Sequence, residues 1–144
     1  MQQTVLFACT GNYYRSRYAE MLFNATKPAS LAWLAISRGF DPSPVNPGPV
    51  AKVTIERLRE RGYAVPDPMP YPRRLSEADL HSAGRIIAMD ADEHPAYVEH
   101  LFPAWRDKFT FWHVPDLDRM GANEALGLIE ANVVWLLDEL SFRA

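Results

Sequence analysis

Cysteine, long apolar runs and excess positive charge are all scarce in this chain. Its single cysteine, Cys9, cannot form an intramolecular disulfide, and a lone free thiol is typical of a reducing compartment. No stretch approaches the ~18 apolar residues that a transmembrane helix needs, and the apolar run after Thr4 is too short for a signal peptide. The net charge of -3 provides no broad cationic field for nucleic acid or an anionic membrane. We therefore expect a cytoplasmic chain that binds neither nucleic acid nor membranes.

The rest of the composition is that of a folded globular domain. Apolar residues make up 48% of the chain and charged residues 23%, so residues 1–144 are predicted to form a single domain. The four histidines, at positions 81, 94, 100 and 113, lack the compact spacing of a metal site. A G-x-G-x-x-G pattern is also missing, which disfavours a dinucleotide-binding domain.

Segments with strand and helix patterns alternate along the chain. Apolar runs predict strands within residues 4–9, 31–37, 84–89 and 108–113. Helical periodicity and capping signals predict helices over residues 15–27, 50–62, 92–102 and 122–142, with a short helix beginning at the capping-box spacing of residues 76–79. Proline-rich loops fill residues 41–49 and 66–72. This alternation predicts an α/β fold in which helices cover both faces of a parallel sheet.

The most informative segment is the loop CTGNYYRS, which joins the first predicted strand to the first helix. Consecutive backbone amides in such a loop can form an anion nest, reinforced by the positive end of the helix. Cys9 and Arg15 lie six positions apart around it. The nest and the guanidinium favour the thiolate form of Cys9, which is the nucleophilic form. Arg15 can bind two phosphate oxygens at once, so the loop is predicted to hold a phosphate ester beside a nucleophile.

The other loop residues have smaller predicted roles. Gly11 would supply permissive backbone, the Asn12 side chain would brace the loop, and Ser16 would donate a hydrogen bond to the Cys9 sulfur. Tyr13 is a candidate pocket wall, while Phe40 either borders the cleft or packs in the core. The predicted substrate-binding residues are Thr10, Gly11, Asn12, Tyr13, Tyr14, Arg15 and Ser16.

The sequence TVLFACTGNYYRSRYAE resembles the amino-terminal signature of the low-molecular-weight protein tyrosine phosphatases, whose loop reads C-x-G-N-x-C-R-S. The resemblance continues at residues 37–39, 58–62, 87–90 and 114–116, and so covers nearly the whole chain. It implies a three-layer α/β/α fold with a central four-stranded parallel sheet. No metal or organic cofactor is implied.

The resemblance also implies a phosphomonoester hydrolase that forms a phosphocysteine intermediate on Cys9. Arg15 would bind the phosphate, and Asp116 would be the general acid, with Asp118 as the alternative. The implied substrate is phosphotyrosine in a phosphorylated protein or a small aryl phosphate. Inorganic phosphate or sulfate would occupy the same loop.

This chain departs from the family pattern at two places. Leu117 follows Asp116 where relatives usually have proline and then aromatic residues. A binding module that retains the phosphate loop but turns over poorly is therefore the alternative function. Tyr14 replaces the second cysteine of many relatives, so peroxide should drive Cys9 more readily to irreversible oxidation. The lone cysteine also disfavours thioredoxin-coupled arsenate reduction, which requires further thiols.

Overall fold

The computed structural model describes residues 2–143, in which four parallel strands form one sheet. The elements in chain order are β1 Gln3–Cys9, α1 Arg15–Thr26, β2 Trp33–Gly39, α2 Lys52–Glu60, α3 Glu77–Ser82, β3 Arg85–Ala88, α4 His94–Leu101, a 3₁₀ helix Pro103–Lys108, β4 Phe109–Phe111 and α5 Ala122–Arg143. The strand order is β2-β1-β3-β4. The predicted α/β fold with a four-stranded parallel sheet is confirmed.

Strand β1 lies at the centre and is buried on both faces. Successive side chains of a strand point to opposite faces, so they enter two different cores. Val5, Phe7 and Cys9 pack in the larger core, to which α1, α2 and α5 contribute. Leu6 and Ala8 pack in the smaller core, which α3 and α4 cover. This arrangement gives the three-layer α/β/α architecture and explains why β1 is apolar at every position from residue 5 to residue 9.

The strand register brings the carboxyl ends of the strands to one edge of the sheet. Cys9 pairs with Gly39 at the ends of β1 and β2, and Ala88 at the end of β3 lies one position from the end of β1. Gly39 is required there, because a Cβ atom would lie 2.9 Å from the Thr10 carbonyl oxygen and 3.0 Å from the Asn12 nitrogen. In parallel sheets ligands bind at this edge. The loop that follows Cys9 therefore lies where a ligand site is expected.

The predicted elements differ from the observed ones mainly in the fourth strand. The prediction of a strand over residues 108–113 is too long, since β4 contains only Phe109–Phe111. The chain before it forms a 3₁₀ helix that the prediction lacks, beginning at Pro103 and placing Trp105 against the smaller core. Pro95 does not interrupt α4 but lies in its first turn, where its missing amide donor costs no hydrogen bond.

Two kinds of feature are absent from residues 2–143. No helix there is both long enough and apolar enough to cross a membrane. In the same part of the chain, no three or more histidine, cysteine or acidic side chains are grouped as a metal site requires.

Candidate active site

Cys9 and Arg15 lie at the bottom of a pocket of about 270 Å³ at the carboxyl edge of the sheet. Cys9 ends β1 and Arg15 is the first residue of α1, so the loop between them is fixed at both ends by secondary structure. Each of the two residues is only 2% exposed. Tyr13, Tyr14 and Asp116 also line the pocket. The structure therefore brings together the candidate nucleophile, the guanidinium and the late aspartate.

The backbone of the loop turns at Asn12 rather than at Gly11. Asn12 has a φ of 52°, in the left-handed region that asparagine tolerates better than most residues. Gly11 does not adopt a positive φ, and an added Cβ there would meet only the Tyr13 Cβ, at 3.8 Å. The expectation that Gly11 supplies the permissive backbone is therefore corrected.

The Asn12 side chain braces the loop, as expected. Its Nδ2 donates to the Ser16 hydroxyl at 2.9 Å and to the Ser37 hydroxyl at 3.0 Å. Its Oδ1 accepts the Arg73 backbone N–H at 2.9 Å, which fixes the orientation of the amide because a backbone N–H can only donate. The Ser16 Oγ lies 2.9 Å from the Cys9 Sγ, so the predicted contact between hydroxyl and sulfur is present.

The same hydrogen-bond chain continues to a partly buried carboxylate, that of Glu20. The Ser37 hydroxyl, which accepts from Asn12, donates to Glu20 through a short hydrogen bond. Burial raises the pKa of Glu20, against the opposing effects of the Ser37 hydrogen bond and nearby arginines. Glu20 in its ionised form is only an acceptor, so it orders the donors of the chain toward itself.

Arg17 attaches both proline-rich loops to the loop between Cys9 and Arg15. Its guanidinium donates to the carbonyl oxygens of Asn12 at 3.3 Å, Pro49 at 2.9 Å and Pro70. Burial lowers the pKa of Arg17, as expected for a cation with only 3% of its surface exposed. The two proline-rich loops that the sequence predicts are thereby held to the same side chain.

The Arg15 guanidinium is held by carbonyl and carboxylate oxygens from two other segments. Its Nη1 and Nη2 donate to the two carboxylate oxygens of Glu93, each at 3.1 Å, and Nη1 also donates to the Val114 carbonyl at 2.9 Å. Asp116 Oδ2 lies 3.5 Å from Nη2. Burial acts to lower the pKa of Arg15, but the negative charges of Cys9, Glu93 and Asp116 outweigh it and the pKa is raised.

Sequence analysis missed Glu93, which accepts hydrogen bonds from three side chains. It accepts from Arg15, from the Thr10 hydroxyl and from His94 Nε2, 3.3 Å away. His94 Nδ1 accepts the Asp90 N–H, so Nε2 carries the proton in the neutral ring. The His94 hydrogen bond first, and then Arg15 and Thr10, hold the pKa of Glu93 far below its usual range despite burial. An acidic cluster directly after β3 was the available signal, because β3 adjoins β1.

The two candidate acids differ in their position. Asp116 is at the pocket mouth, with its side chain 47% exposed and its Oδ1 accepting the Leu117 N–H at 2.8 Å. Asp118 is exposed and does not line the pocket, nor does it form an ion pair with any residue of the described part of the chain. The geometry therefore favours Asp116 over Asp118 as the group closest to a bound ester.

The candidate aromatic residues also differ. The Tyr13 hydroxyl donates to the Pro47 carbonyl at 2.6 Å, which fixes its ring at the pocket wall. Phe40 is 1% exposed and stacks on Tyr97, so it packs in the smaller core. The Tyr14 ring is buried, and its hydroxyl makes no hydrogen bond within residues 2–143. Burial is the main reason that the pKa of Tyr14 is raised.

Comparison with known proteins gives one family and several similar structures. The family model described as low molecular weight phosphotyrosine protein phosphatase matches residues 4–141. YfkJ from Bacillus subtilis is 27% identical, with a TM-score of 0.83 over 99% of this chain and 97% of that chain. A low molecular weight protein tyrosine phosphatase from T. tengcongensis is 29% identical, with a TM-score of 0.76 over 99% and 100%.

A more distant structure shares the fold alone. The YwlE arginine phosphatase from Geobacillus stearothermophilus is 20% identical, with a TM-score of 0.79 over 98% of this chain and 94% of that chain. A search of curated protein sequences gave no match. The family match spans the catalytic loop, the carboxyl ends of all four strands and the segment that contains Asp116. The chain therefore belongs to the low molecular weight phosphotyrosine protein phosphatase family and is a cysteine-dependent phosphatase.

Proposed function

We propose that this phosphatase hydrolyses aryl phosphomonoesters through a phosphocysteine on Cys9. The observation that carries the proposal is the shared pocket, in which the Cys9 sulfur and the Arg15 guanidinium are both buried beneath Asp116. The Ser16 hydroxyl, 2.9 Å from the sulfur, is positioned to stabilise a thiolate there. These are the nucleophile, anion clamp and acid that ester cleavage needs.

In the first chemical step the Cys9 Sγ attacks phosphorus. An S–P bond forms while the bond between phosphorus and the leaving oxygen breaks. Asp116, protonated at that stage, gives its proton to the leaving oxygen, so an alcohol departs. Loop amides and Arg15 bind the non-bridging oxygens, on which negative charge develops.

In the second step water hydrolyses the phosphocysteine. The Asp116 carboxylate accepts a proton from water while the water oxygen bonds to phosphorus and the S–P bond breaks. The electron pair of the S–P bond returns to the Cys9 sulfur, which becomes a thiolate again, and the Ser16 hydroxyl stabilises that thiolate. Inorganic phosphate leaves, and the same residues would bind added phosphate or sulfate.

Two residues of the pocket wall support an aryl substrate. Tyr13, fixed by its bond to Pro47, and Leu117, 52% exposed, both line the pocket. An aromatic and an aliphatic side chain in the wall suit a flat ring better than a charged or hydrated alkyl group. We propose phosphotyrosine in proteins or a small aryl phosphate as substrate, and the cytoplasm, where a lone thiol stays reduced, as the compartment.

One observation favours the alternative of a phosphate-binding module with little turnover. Asp116 Oδ2 lies 3.5 Å from Arg15 Nη2, and a carboxylate bound to that cation is not available as an acid. The active enzyme requires that bound phosphate takes over this contact and releases Asp116 toward the leaving group. The two functions therefore differ in whether Asp116 matters for turnover.

The test is hydrolysis of p-nitrophenyl phosphate from about pH 4 to about pH 8 without added metal. We expect Cys9→Ser to abolish turnover, Asp116→Ala to reduce kcat strongly, and Asp118→Ala to have little effect. A wild type that is stabilised thermally by phosphate but is no faster than Cys9→Ser would support the binding module instead.

A further inference from the structure

The segment that carries Asp116 has few attachments to the rest of the protein. Here residues 116–120 are called the acid loop. Its backbone forms a turn in which the Asp116 carbonyl accepts the N–H groups of Arg119, at 2.9 Å, and Met120, at 3.1 Å. Leu117 replaces the proline that would stiffen this backbone, and Leu117 and Asp118 are exposed. The position of the turn must therefore be set by other contacts.

Arg119 makes two ion pairs that join the acid loop to the turn after β3. Its Nη2 donates to Asp90 Oδ2 through a short contact, and its Nη1 lies 3.7 Å from Asp92 Oδ2. Among the described side chains, those of residues 2–142, these are the only ion pairs between residues 117–120 and the rest of the chain. Met120 adds apolar packing against the larger core.

The buried carboxylate of Asp90 requires a cation, which Arg119 provides. Asp90 is 1% exposed, and a buried carboxylate without a cation is costly. Its other side-chain oxygen accepts only a backbone N–H, that of Asp92 at 3.4 Å, and Arg119 is the cation that pairs with it in the described part of the chain. Arg119 is 44% exposed and could otherwise point into solvent, so the buried charge fixes its position.

The same short turn also positions the catalytic guanidinium. Asp90 binds Arg119, and Glu93, three residues later, binds both terminal nitrogens of Arg15. The His94 ring joins the backbone of Asp90 to the side chain of Glu93, because it accepts from the Asp90 N–H and donates to the Glu93 carboxylate. The turn thus sets the spacing between Arg15 and the acid loop.

We infer that Arg119 is a positioning residue, which holds Asp116 at the leaving-group oxygen through its ion pair with the buried Asp90. The inference rests on the proposed function, in which Asp116 is the acid. Loss of the ion pair should leave nucleophile and phosphate binding intact but misplace the proton donor. Esters with a good leaving group, which need little protonation, should then be affected least.

The test compares kcat/KM for phenyl phosphate, a poor leaving group, with 2,4-dinitrophenyl phosphate, a good one. Arg119→Met should lower the value for phenyl phosphate by on the order of tenfold and that for the dinitrophenyl ester by less than about threefold. Arg119→Lys should recover part of the loss. Arg106→Met is the matched control, since it removes an exposed arginine that pairs with Glu99 far from the pocket.

A second variant separates positioning from stability. Arg119→Met leaves the Asp90 carboxylate buried without its cation, whereas Asp90→Asn/Arg119→Met removes both charges. The double variant should be more stable than Arg119→Met and yet retain the preference for the good leaving group. Equal losses for both esters in either variant, or no loss in either, would overturn the inference.

Failure of the proposed function gives a different result. Asp116→Ala should show the same dependence on the leaving group, with a larger loss for phenyl phosphate. If it shows none, Asp116 is not the acid and the proposed mechanism fails. If Asp116→Ala shows the dependence and Arg119→Met does not, the mechanism stands and only the role of Arg119 is wrong.

Discussion

Glu130→Gln should destabilise the fold without affecting the chemistry. Glu130 on α5 accepts the Tyr18 hydroxyl at 2.6 Å and binds the side chains of Arg57, at 2.9 and 3.1 Å, and Arg61, at 3.1 and 3.3 Å. It thereby joins α5 to α1 and to the end of α2. Glutamine keeps the size of the side chain but removes the charge and points N–H donors toward the arginines.

The magnitude follows from the pKa of Glu130, which Arg57 first, and then Tyr18 and Arg61, lower from 4.5 to about 2 despite burial. A shift of this size corresponds to about 3 kcal/mol at 1.36 kcal/mol per unit. The side chain is 23% exposed and one partner, Arg61, is 45% exposed, so solvent screening reduces the expected loss to about 2 kcal/mol.

The pH dependence has a definite sign. The pKa is lower in the folded state, so the stabilisation is fully present above pH 4.5 and is lost as the pH falls toward about 2. Urea unfolding of wild type and Glu130→Gln should therefore give a difference of about 2 kcal/mol at neutral pH that shrinks at about pH 3. Thermal unfolding at neutral pH should show a Tm lower by roughly 4–8 °C.

Two comparisons check the reasoning. Glu99→Gln, which removes the half-exposed partner of Arg106, should change stability by less than about 0.5 kcal/mol. The kcat/KM of Glu130→Gln at room temperature should match wild type, because Glu130 does not line the catalytic pocket. A destabilisation that is the same at neutral pH and at about pH 3 would show that the carboxylate charge is not its source.

Three further predictions concern the catalytic loop. Gly39→Ala should lower both Tm and kcat, because its Cβ would lie 2.9 Å from the Thr10 carbonyl oxygen. Gly121→Ala is the control and should have little effect, because nothing lies within 4 Å of its Cβ. Equal Tm values for the two variants would contradict this prediction. Glu93→Gln should raise both the KM for p-nitrophenyl phosphate and the inhibition constant for phosphate about tenfold, since Arg15 loses its bidentate partner. If both constants are unchanged, Glu93 does not position Arg15 for phosphate binding. Prolonged peroxide treatment should inactivate the enzyme irreversibly, because Cys9 is the only cysteine; recovery of most activity with dithiothreitol would refute it.

The elements that the sequence predicts best are those whose residues are close together along the chain. The strand, loop and helix around Cys9 and Arg15 are continuous in sequence, so apolar pattern, turn residues and helical period identify them together. The Ser76–Asp79 capping box is equally local and is present in α3. Sequence patterns were enough for these helices because their backbone groups form hydrogen bonds with residues close by in the sequence.

The contacts that sequence analysis missed join segments far apart along the chain. Arg15 and Glu93 are separated by 78 positions, and Asp90 and Arg119 by 29. Which acidic residue pairs with which arginine depends on how the loops meet at the sheet edge. The sequence alone offers many other acidic partners for Arg15 and for Arg119. The strand order could have identified Glu93 as a possible partner of Arg15, because Glu93 follows β3 and β3 lies beside β1. The Asp90–Arg119 pair had no comparable signal.

The two carboxylates at Arg15 are held so differently that they must have different roles. Glu93 has hydrogen bonds from Arg15, Thr10 and His94, and its side chain is 26% exposed. Asp116 has a single 3.5 Å contact with the guanidinium, and its side chain is 47% exposed. A phosphate dianion that enters the pocket can displace the weakly held Asp116 from Nη2, whereas displacement of Glu93 would remove the acceptor that Arg15, Thr10 and His94 share. Under the proposed mechanism, Glu93 therefore supports Arg15 throughout the reaction, and Asp116 turns toward the leaving group.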